Sequence, residues 1–288
     1  MNVTWDTDIY CLIGHPISKS LSPIIHNNYF KMNDLNSLYI DFDVEEDDLE
    51  VVFNSFKILD IKGFNVTLPH KISIIEYLDD LSIEAKAIGA VNTVKNQNGR
   101  YIGYNTDGLG FLRSLKLNGV NIHGKSILIL GAGGVANAIA ISLAMEGVRE
   151  IFINNRTIGR AKDLSNRIQD LSPEILVEYG DLGLENIPKD RIDIVINCTS
   201  VGMHPRIDES PMNFTGFSQK LIVYDTIYKP YRTKFMRLAE EKGYPIIGGL
   251  SMLINQALYS QGIWNKDKNL KFLKEFNKIS RILKTYVE

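Results

Sequence analysis

The middle of the chain reads Lys125-Ser126-Ile127-Leu128-Ile129-Leu130-Gly131-Ala132-Gly133-Gly134-Val135-Ala136-Asn137-Ala138. The apolar run predicts a buried strand, and the Ala- and Ile-rich sequence after the glycine-rich turn predicts a helix. Gly131, Gly133 and Ala136 fit the pattern G-x-G-x-x-A, whose small residues permit a tight turn and the close approach of a phosphate. Free N–H groups at the start of the helix would face that phosphate. The stretch therefore predicts a dinucleotide-binding unit, and a closely packed turn without a ligand is the alternative interpretation.

Strands and helices alternate on both sides of this stretch. Before Gly108 the pattern predicts strands over 9–14, 39–44 and 63–67, helices over 23–32, 47–59 and 69–78, and a hairpin around Asn98-Gly99. From Gly108 the spacing is more regular, with predicted helices over 108–117 and up to Met145 and predicted strands over 126–130, 150–154, 175–179, 192–198, 221–226 and 244–247.

The fold expected from this order is α/β with two domains. Residues 1–107 are expected to form an N-terminal α/β domain, and residues 108–250 a Rossmann-type doubly wound parallel sheet. A helix capped by Ser251 and a second amphipathic helix over 271–286 occupy residues 251–288. Because no strand follows these two helices, we expect them to return to the first domain.

Composition excludes several classes of function. The net charge of −2 over 288 residues gives no electrostatic footprint for nucleic acid or for an acidic membrane surface. The start of the chain lacks a signal peptide, and no later run is long enough to span a membrane. Cys11 and Cys198 each lie in an apolar run, which predicts buried thiols in a reducing compartment. A cytoplasmic protein is expected.

Three polar segments could hold a small ligand. Ser20 and Ser22 could direct two hydroxyls toward a carboxylate at the start of a helix, although Ser22 before Pro23 also has the ordinary role of an N-cap. Lys71 falls in the first turn of a predicted helix, where the dipole disfavours a cation, so a role as proton donor is an alternative to a solvated surface charge. Asp107 could orient that amine or simply cap the next helix.

The segment after the second strand of the dinucleotide unit indicates which cofactor binds. Proteins that use NAD usually place an acidic residue about 20 positions after the glycine loop, where it binds the ribose 2′-hydroxyl. Here the neighbourhood offers Asn155, Arg156, Thr157 and Arg160. If Arg156 and Arg160 share a helix face, their guanidinium groups suit the 2′-phosphate of NADP; ordinary surface arginines are the alternative.

Taken together, these motifs resemble the shikimate dehydrogenase family over essentially the whole chain. The resemblance rests on Ser20-Leu21-Ser22-Pro23, Asn65-Val66-Thr67 with Pro69 and Lys71, Gly89-Ala90-Val91-Asn92-Thr93, Asn105-Thr106-Asp107, the Gly131 loop, Asn155-Arg156-Thr157, Asn197-Cys198-Thr199 with Gly202-Met203, Asp225 with Tyr228 and Pro230, and Gly249 with Met252-Leu253 and Gln256. Each motif alone is unspecific, whereas their number and order are specific.

The resemblance implies reversible reduction of 3-dehydroshikimate to shikimate with NADPH, in the route to aromatic amino acids. Lys71 and Asp107 then resemble the catalytic pair. The implied partners of the substrate carboxylate are Ser20, Ser22 and Tyr228, and those of the ring hydroxyls are Thr67, Asn92 and Gln256. The implied NADP residues are Gly131, Ala132, Gly133, Gly134, Val135, Asn155, Arg156, Thr157 and Arg160, with Thr226 and Gly249 nearer the nicotinamide. No metal is implied, small molecules are the expected partners, and a homodimer is the candidate assembly.

Two positions depart from the family pattern. Lys19 stands where the family often has histidine, at the rim of the carboxylate site, and Asn137 stands where a basic residue is common after the glycine loop. Weaker contacts to the pyrophosphate are expected from the second departure.

Two other functions stay open. An NAD-dependent quinate/shikimate dehydrogenase would keep most of the same residues, although the two arginines argue against it. A non-catalytic NADP-binding sensor would keep the fold, since fold alone does not imply function, but it would not need Lys71 and Asp107, and both are present.

Overall fold

The computed structural model describes residues 3–17, 20–184, 187–265 and 272–287, with the side chains of 272 and 273 excluded. The chain divides into two compact units: unit 1 is Met1–Thr106 with Ile254–Leu283, and unit 2 is Asp107–Leu253 with Lys284–Glu288. The departure at Lys19 lies outside the described residues. None of the described helices combines the length and the apolar character needed to cross a membrane.

Unit 1 is built on a mixed sheet flanked by helices. Its strands are β1 (Asp8–Gly14), β2 (Ser37–Asp43), β3 (Gly63–Val66), β4 (Asp80–Leu81), β5 (Thr93–Gln97) and β6 (Arg100–Tyr104), and its first helices are α1 (Ser22–Met32), α2 (Leu49–Ile58) and α3 (Ile83–Ile88). Within the described residues the sheet order is β2-β1-β3-β5-β6-β4. Strands β1, β2 and β3 are parallel, whereas β5 is antiparallel to both β3 and β6.

The predicted hairpin around Asn98-Gly99 is present between β5 and β6. Asn98 has φ 56° and Gly99 has φ 85°, so both central residues of the turn lie in the left-handed region that a two-residue hairpin turn needs. Behind the sheet, Phe53, Phe56 and Phe64 are buried in one apolar cluster. The same cluster includes Cys11 and Ile13 of β1, so it joins α2 to the strands of the sheet.

Unit 2 is built on a fully parallel sheet. Its strands are β7 (Ser126–Leu130), β8 (Glu150–Asn154), β9 (Leu176–Gly180), β10 (Ile194–Asn197), β11 (Ile222–Asp225) and β12 (Ile246–Gly248), and its helices are α4 (Asp107–Leu117), α5 (Gly134–Met145), α6 (Ile158–Leu171) and α7 (Lys234–Glu241). The order β12-β11-β10-β7-β8-β9 is that of a doubly wound dinucleotide-binding fold, with β7 as its first strand. The predicted α/β fold class is confirmed.

The last two helices are α8 (Gly249–Asn265) and α9 (Phe272–Val287). The division between the units falls within both of them, after Leu253 and after Leu283. The later part of α8 is anchored in unit 1, where the indole Nε1 of Trp264 donates to the carbonyl oxygen of Val94 (2.9 Å).

The prediction of a helix over 69–78 is wrong. Residues 68–72 form turns, and a short 3₁₀ helix follows at Ser73–Tyr77. The backbone N–H of Val91 donates to the carbonyl oxygen of Lys71 (2.8 Å), so a distant segment takes an acceptor that an α-helix would use. Lys71 is therefore not in the first turn of a helix, and the dipole argument for its unusual position does not apply.

Several helix starts also differ from the predictions. Ser22 and Asp107 are the first residues of α1 and α4 rather than N-caps, and Leu21 holds the N-cap position of α1. Ser251 lies inside α8, which begins two residues earlier at Gly249. Helix α3 was not predicted, although Ser82 caps it: the Ser82 hydroxyl oxygen accepts from the N–H of Ala85 (3.2 Å).

The two cysteines have different surroundings. Cys11 in β1 is buried as predicted, whereas Cys198 comes directly after β10 and is partly exposed. Burial raises the pKa of the Cys11 thiol, so this thiol is not activated as a nucleophile.

Candidate functional site

The glycine loop of unit 2 lies where the strand order of the parallel sheet reverses. Strands β7 and β10 are neighbours there, and their carboxyl ends form the crevice in which such sheets bind ligands. Gly131 has φ 109°, and a Cβ on it would lie 3.0 Å from the carbonyl oxygen of Cys198. Both observations explain why glycine is needed at this position.

The loop keeps its outer side open. The N–H of Gly131 donates to the carbonyl oxygen of Asn154 (2.7 Å), and the N–H of Ala132 donates to Oδ1 of Asn155 (3.2 Å). Gly133 is the N-cap of α5 and has no side chain to accept a cap hydrogen bond, and a Cβ on either Gly133 or Gly134 would meet no atom within 4 Å. The first N–H groups of a helix lack partners within it, so Gly133, Gly134 and the next residue, Val135, fit a pyrophosphate.

The segment after β8 carries positive charge at the start of a helix. The Asn155 side chain bridges two backbone segments, since it accepts from Ala132 and donates through Nδ2 to the carbonyl oxygen of Thr157 (2.8 Å). Arg156 lies in a bend before α6 and Arg160 in the first turn of α6, both exposed. Because Arg156 precedes the helix, the two arginines do not share one helix face, and that prediction is wrong. A cation in the first turn opposes the helix dipole, so helix stability does not explain Arg160.

The carboxyl end of β11 packs tightly around Thr226. The backbone N–H and the hydroxyl of Thr226 both donate to the carbonyl oxygen of Asn197 (3.0 and 2.9 Å). A Cβ on Gly249 would lie 2.1 Å from the carbonyl oxygen of Thr226. The two residues predicted near the nicotinamide are thus in direct contact, and only glycine fits at 249.

Asp225, the last residue of β11, is fully buried, and the sequence patterns predicted no role for it. Its carboxylate accepts from Asn197 Nδ2 (3.1 Å), from the backbone N–H of Ile227 (3.0 Å) and from the Thr233 hydroxyl (2.6 Å). Burial raises the pKa of Asp225 to about 6 even though these hydrogen bonds oppose the shift. It fixes the segment that leads to Tyr228, whose own pKa burial raises. The feature of the sequence that could have indicated this role is the position of an acidic residue, Asp225, at the end of an apolar strand.

Unit 1 contains a buried polar cluster that includes two predicted substrate residues. Asn92 is 3% exposed, and its Nδ2 donates to the Thr106 hydroxyl (2.9 Å). Its Oδ1 accepts from the Thr106 backbone N–H (2.8 Å). The side-chain oxygen of Gln256, 164 residues away, lies 3.5 Å from Asn92 Nδ2. The structure thus brings Asn92 and Gln256 together.

A second layer of side chains supports this cluster. Asn65 Nδ2, which carries two hydrogens, lies within hydrogen-bond distance of three oxygens: the carbonyl oxygen of Asn92 (3.0 Å) and the hydroxyls of Thr93 (3.0 Å) and Ser260 (3.2 Å). Asn65 Oδ1 accepts from the Tyr39 hydroxyl (2.8 Å). Asn65 and Thr93 were predicted only as part of the family motifs. Tyr39 and Ser260 were not predicted, because their partners are distant in sequence.

Thr67 and Lys71 lie in the loop after β3. The N–H of Thr67 donates to the carbonyl oxygen of Ile13 (2.9 Å). A Cβ on Gly14 would lie 2.3 Å from the Thr67 methyl carbon, so the two loops are in close contact. Lys71 is half-buried. Before α1, the Ser20 hydroxyl oxygen accepts from the backbone N–H of Ser22 (3.1 Å).

Asp107 is 7% exposed and begins α4. It is followed by Gly108, where a Cβ would lie 1.8 Å from the Ser142 hydroxyl oxygen, so α4 approaches α5 closely. Lys71 belongs to unit 1 and Asp107 to unit 2, and their pairing stays a prediction. Across the described ranges, no group of three or more His, Cys, Asp and Glu side chains is arranged to hold a metal ion.

Two family models match the chain. The model described as the shikimate dehydrogenase substrate binding domain matches residues 12–94, and the model described as shikimate / quinate 5-dehydrogenase matches residues 114–225. The first range falls in unit 1 and the second in unit 2.

Relatives match over nearly the full length. The shikimate dehydrogenase (NADP(+)) of Caldanaerobacter subterraneus subsp. tengcongensis is 45% identical over 265 residues, which are 92% of this chain and 94% of the relative. A crystal structure of a shikimate dehydrogenase in complex with NADP+ gives a TM-score of 0.90 at 38% identity and covers 97% of both chains. The shikimate 5-dehydrogenase of Listeria monocytogenes, in complex with shikimate and NAD, gives 0.91 at 35% identity over 98% of both chains.

Proposed function

The chain belongs to the shikimate dehydrogenase family, as its motifs predict, and we propose that it catalyses the reversible NADPH-dependent reduction of 3-dehydroshikimate to shikimate. The observation that carries the proposal is that each of the two units is matched by its own family model. The open glycine loop at the reversal of the strand order agrees with an NADP-dependent enzyme.

The reaction needs a proton donor. When bound, NADPH supplies a hydride to the substrate carbonyl carbon, and the oxygen then carries negative charge that a proton must neutralise. We assign the donation of this proton to the Lys71 ammonium and the orientation of that ammonium to Asp107. A role of Lys71 mainly in binding the carbonyl oxygen is the alternative.

The substrate is small, polar and anionic, and hydroxyl and amide side chains suit it. We assign its carboxylate to Ser20, Ser22 and Tyr228 and its ring hydroxyls to Thr67, Asn92 and Gln256. The direct approach of Asn92 to Gln256 supports the second group. Asn65 holds the Asn92 backbone in place through its hydrogen bond to the Asn92 carbonyl oxygen. The side-chain amides of Asn92 and Gln256 are therefore positioned before the ligand binds.

The cofactor assignment follows the loop geometry. In the loop from Gly131 to Val135, the backbone N–H groups of Gly133, Gly134 and Val135 hold the pyrophosphate, while those of Gly131 and Ala132 donate to Asn154 and Asn155 and so fix the shape of the loop. Arg156 and Arg160, near Thr157, bind the 2′-phosphate, for which a guanidinium fork is well suited. Thr226 and Gly249 line the nicotinamide end.

The remaining assignments concern organisation and assembly. Residues 1–107 with the helices in 251–288 form the substrate domain, and residues 108–250 form the NADP domain. We propose that the protein acts in the cytoplasm and assembles as a homodimer. Light scattering coupled to size-exclusion chromatography tests the assembly, and a monomeric mass contradicts it.

The experiment that tests the function follows nicotinamide absorbance with 3-dehydroshikimate and either NADPH or NADH. Rapid oxidation of NADPH with little use of NADH supports the proposal. Preference for NADH favours the NAD-dependent quinate/shikimate dehydrogenase, an alternative kept open by the NAD-bound Listeria structure. Binding of NADPH without turnover of any cyclic hydroxy acid favours the non-catalytic sensor.

A further inference from the structure

The side chain of Asn137, in the first turn of α5, turns back onto the glycine loop. Its Nδ2 donates to the carbonyl oxygen of Gly133 (2.8 Å) and lies 3.4 Å from that of Ala132. Its backbone N–H also donates to the carbonyl oxygen of Gly133 (2.9 Å). Two consecutive carbonyl groups of the loop are therefore drawn toward a single residue.

Arg167, about one turn before the end of α6, determines which way the Asn137 amide faces. Its Nη1 donates to Asn137 Oδ1 (2.9 Å). A guanidinium group donates hydrogen bonds and accepts none, so the oxygen of the amide must face it. The amide nitrogen then necessarily faces the loop carbonyls.

Because the peptide bond is planar, the direction of each loop carbonyl group also determines the direction of the next N–H group. In a trans peptide the N–H points opposite to the C=O of the preceding residue. With the carbonyls of Ala132 and Gly133 held toward Asn137, the N–H groups of Gly133 and Gly134 point the other way. A Cβ at either glycine would meet no atom within 4 Å, so the surroundings of both residues are open.

We propose that Asn137 and Arg167 are positioning residues that aim the N–H groups of the glycine loop at the pyrophosphate of NADP. The inference rests on the proposed function for the identity of the ligand, and it assigns Arg167 a role that no motif in the sequence suggested. It also gives Asn137 a supporting role in pyrophosphate binding, whereas the sequence led us to expect that this residue weakens the contacts to the pyrophosphate.

The test compares two ligands that share the 2′-phosphate. NADP+ contains the pyrophosphate, whereas adenosine 2′-phosphate does not, and calorimetry measures both dissociation constants without substrate. In Arg167→Met and Asn137→Ala, NADP+ is expected to bind about tenfold more weakly, as for the loss of one hydrogen bond to a charged group. Adenosine 2′-phosphate is expected to keep its affinity to within about twofold.

The kinetic readout separates positioning from a general structural role. In both variants the KM for NADPH rises with the dissociation constant, while kcat at saturating NADPH is unchanged. Arg167→Lys, which still donates to Oδ1, recovers at least part of the affinity. Arg156→Gln is the matched control, because losing a 2′-phosphate contact weakens both ligands.

Two results would overturn the inference. One is an unchanged dissociation constant for NADP+ in Arg167→Met, which keeps much of the aliphatic packing and decides the matter if Asn137→Ala fails to fold. The other is an equal loss for both ligands. Turnover of wild-type protein with 3-dehydroshikimate reports separately on the proposed function, since neither dissociation constant depends on the substrate.

Discussion

Replacement of Asp225 by asparagine should make the protein less sensitive to alkaline pH. The Asp225 carboxyl is 0% exposed, and burial raises its pKa from the usual 3.8 to about 6. The folded state therefore binds this proton more tightly than the unfolded state does. Stability from this group is fully present below the unfolded pKa and is lost as the pH rises through the folded pKa.

The size of the effect follows from the two pKa values. Moving a pKa from 3.8 to about 6 corresponds to about 3 kcal/mol between the fully protonated and fully ionised limits. Linkage places about 1.4 kcal/mol of this loss between pH 5 and pH 8. Asparagine has a similar shape and keeps an oxygen for the N–H of Ile227, and it carries no charge to bury.

The assay is urea unfolding, monitored by circular dichroism, of wild type and Asp225→Asn at pH 5 and pH 8. The variant should gain about 1.4 kcal/mol relative to wild type on going from the lower to the higher pH. Asp190→Asn, at an exposed position, is the control for a change of net charge. A difference between variant and wild type that is the same at both pH values would refute the reasoning, since Asp225 would then not titrate in the folded protein.

Three further outcomes are expected. Lys71→Ala should lower kcat by about 10²-fold or more, the contribution typical of general acid catalysis, with little change in NADPH affinity by calorimetry; unchanged turnover would remove Lys71 from the mechanism. Replacing Arg156 and Arg160 with glutamine should weaken NADPH binding by at least about tenfold while NADH binding changes little, because only NADPH carries the 2′-phosphate; equal losses would contradict that role. Gly249→Ala should lower the melting temperature and cost about 1–3 kcal/mol, because its Cβ would lie 2.1 Å from the carbonyl oxygen of Thr226; wild-type stability would show that the backbone can move apart there.

Local sequence patterns were sufficient to predict the parallel sheet of unit 2. The prediction of β7 and β8 matches the structure at both ends, and the glycine loop lies between β7 and α5 as expected. These strands are short apolar runs bounded by turns, so hydrophobicity and turn residues alone reveal them. The same holds for the hairpin at Asn98-Gly99, where the turn type requires residues that tolerate positive φ.

Local patterns were insufficient to predict secondary structure where a segment distant in sequence forms a hydrogen bond with a backbone carbonyl group. Residues 69–78 have a sequence that predicts a helix, but Val91 takes the carbonyl oxygen of Lys71 and the segment forms turns. The prediction that Arg156 and Arg160 share a helix face was wrong because α6 begins at Ile158, after Arg156, and spacing along the sequence does not show where a helix starts.

The sequence by itself determined the fold class, the position of the dinucleotide loop and the family, because these depend on local periodicity and on motifs read in order. Only the tertiary structure decided which polar groups meet. Asn92 and Gln256 are 164 positions apart, and Arg167 orients Asn137 from a different helix. Buried polar groups form hydrogen bonds with whichever partners lie next to them in the folded chain. Spacing along the sequence does not show which residues those partners are.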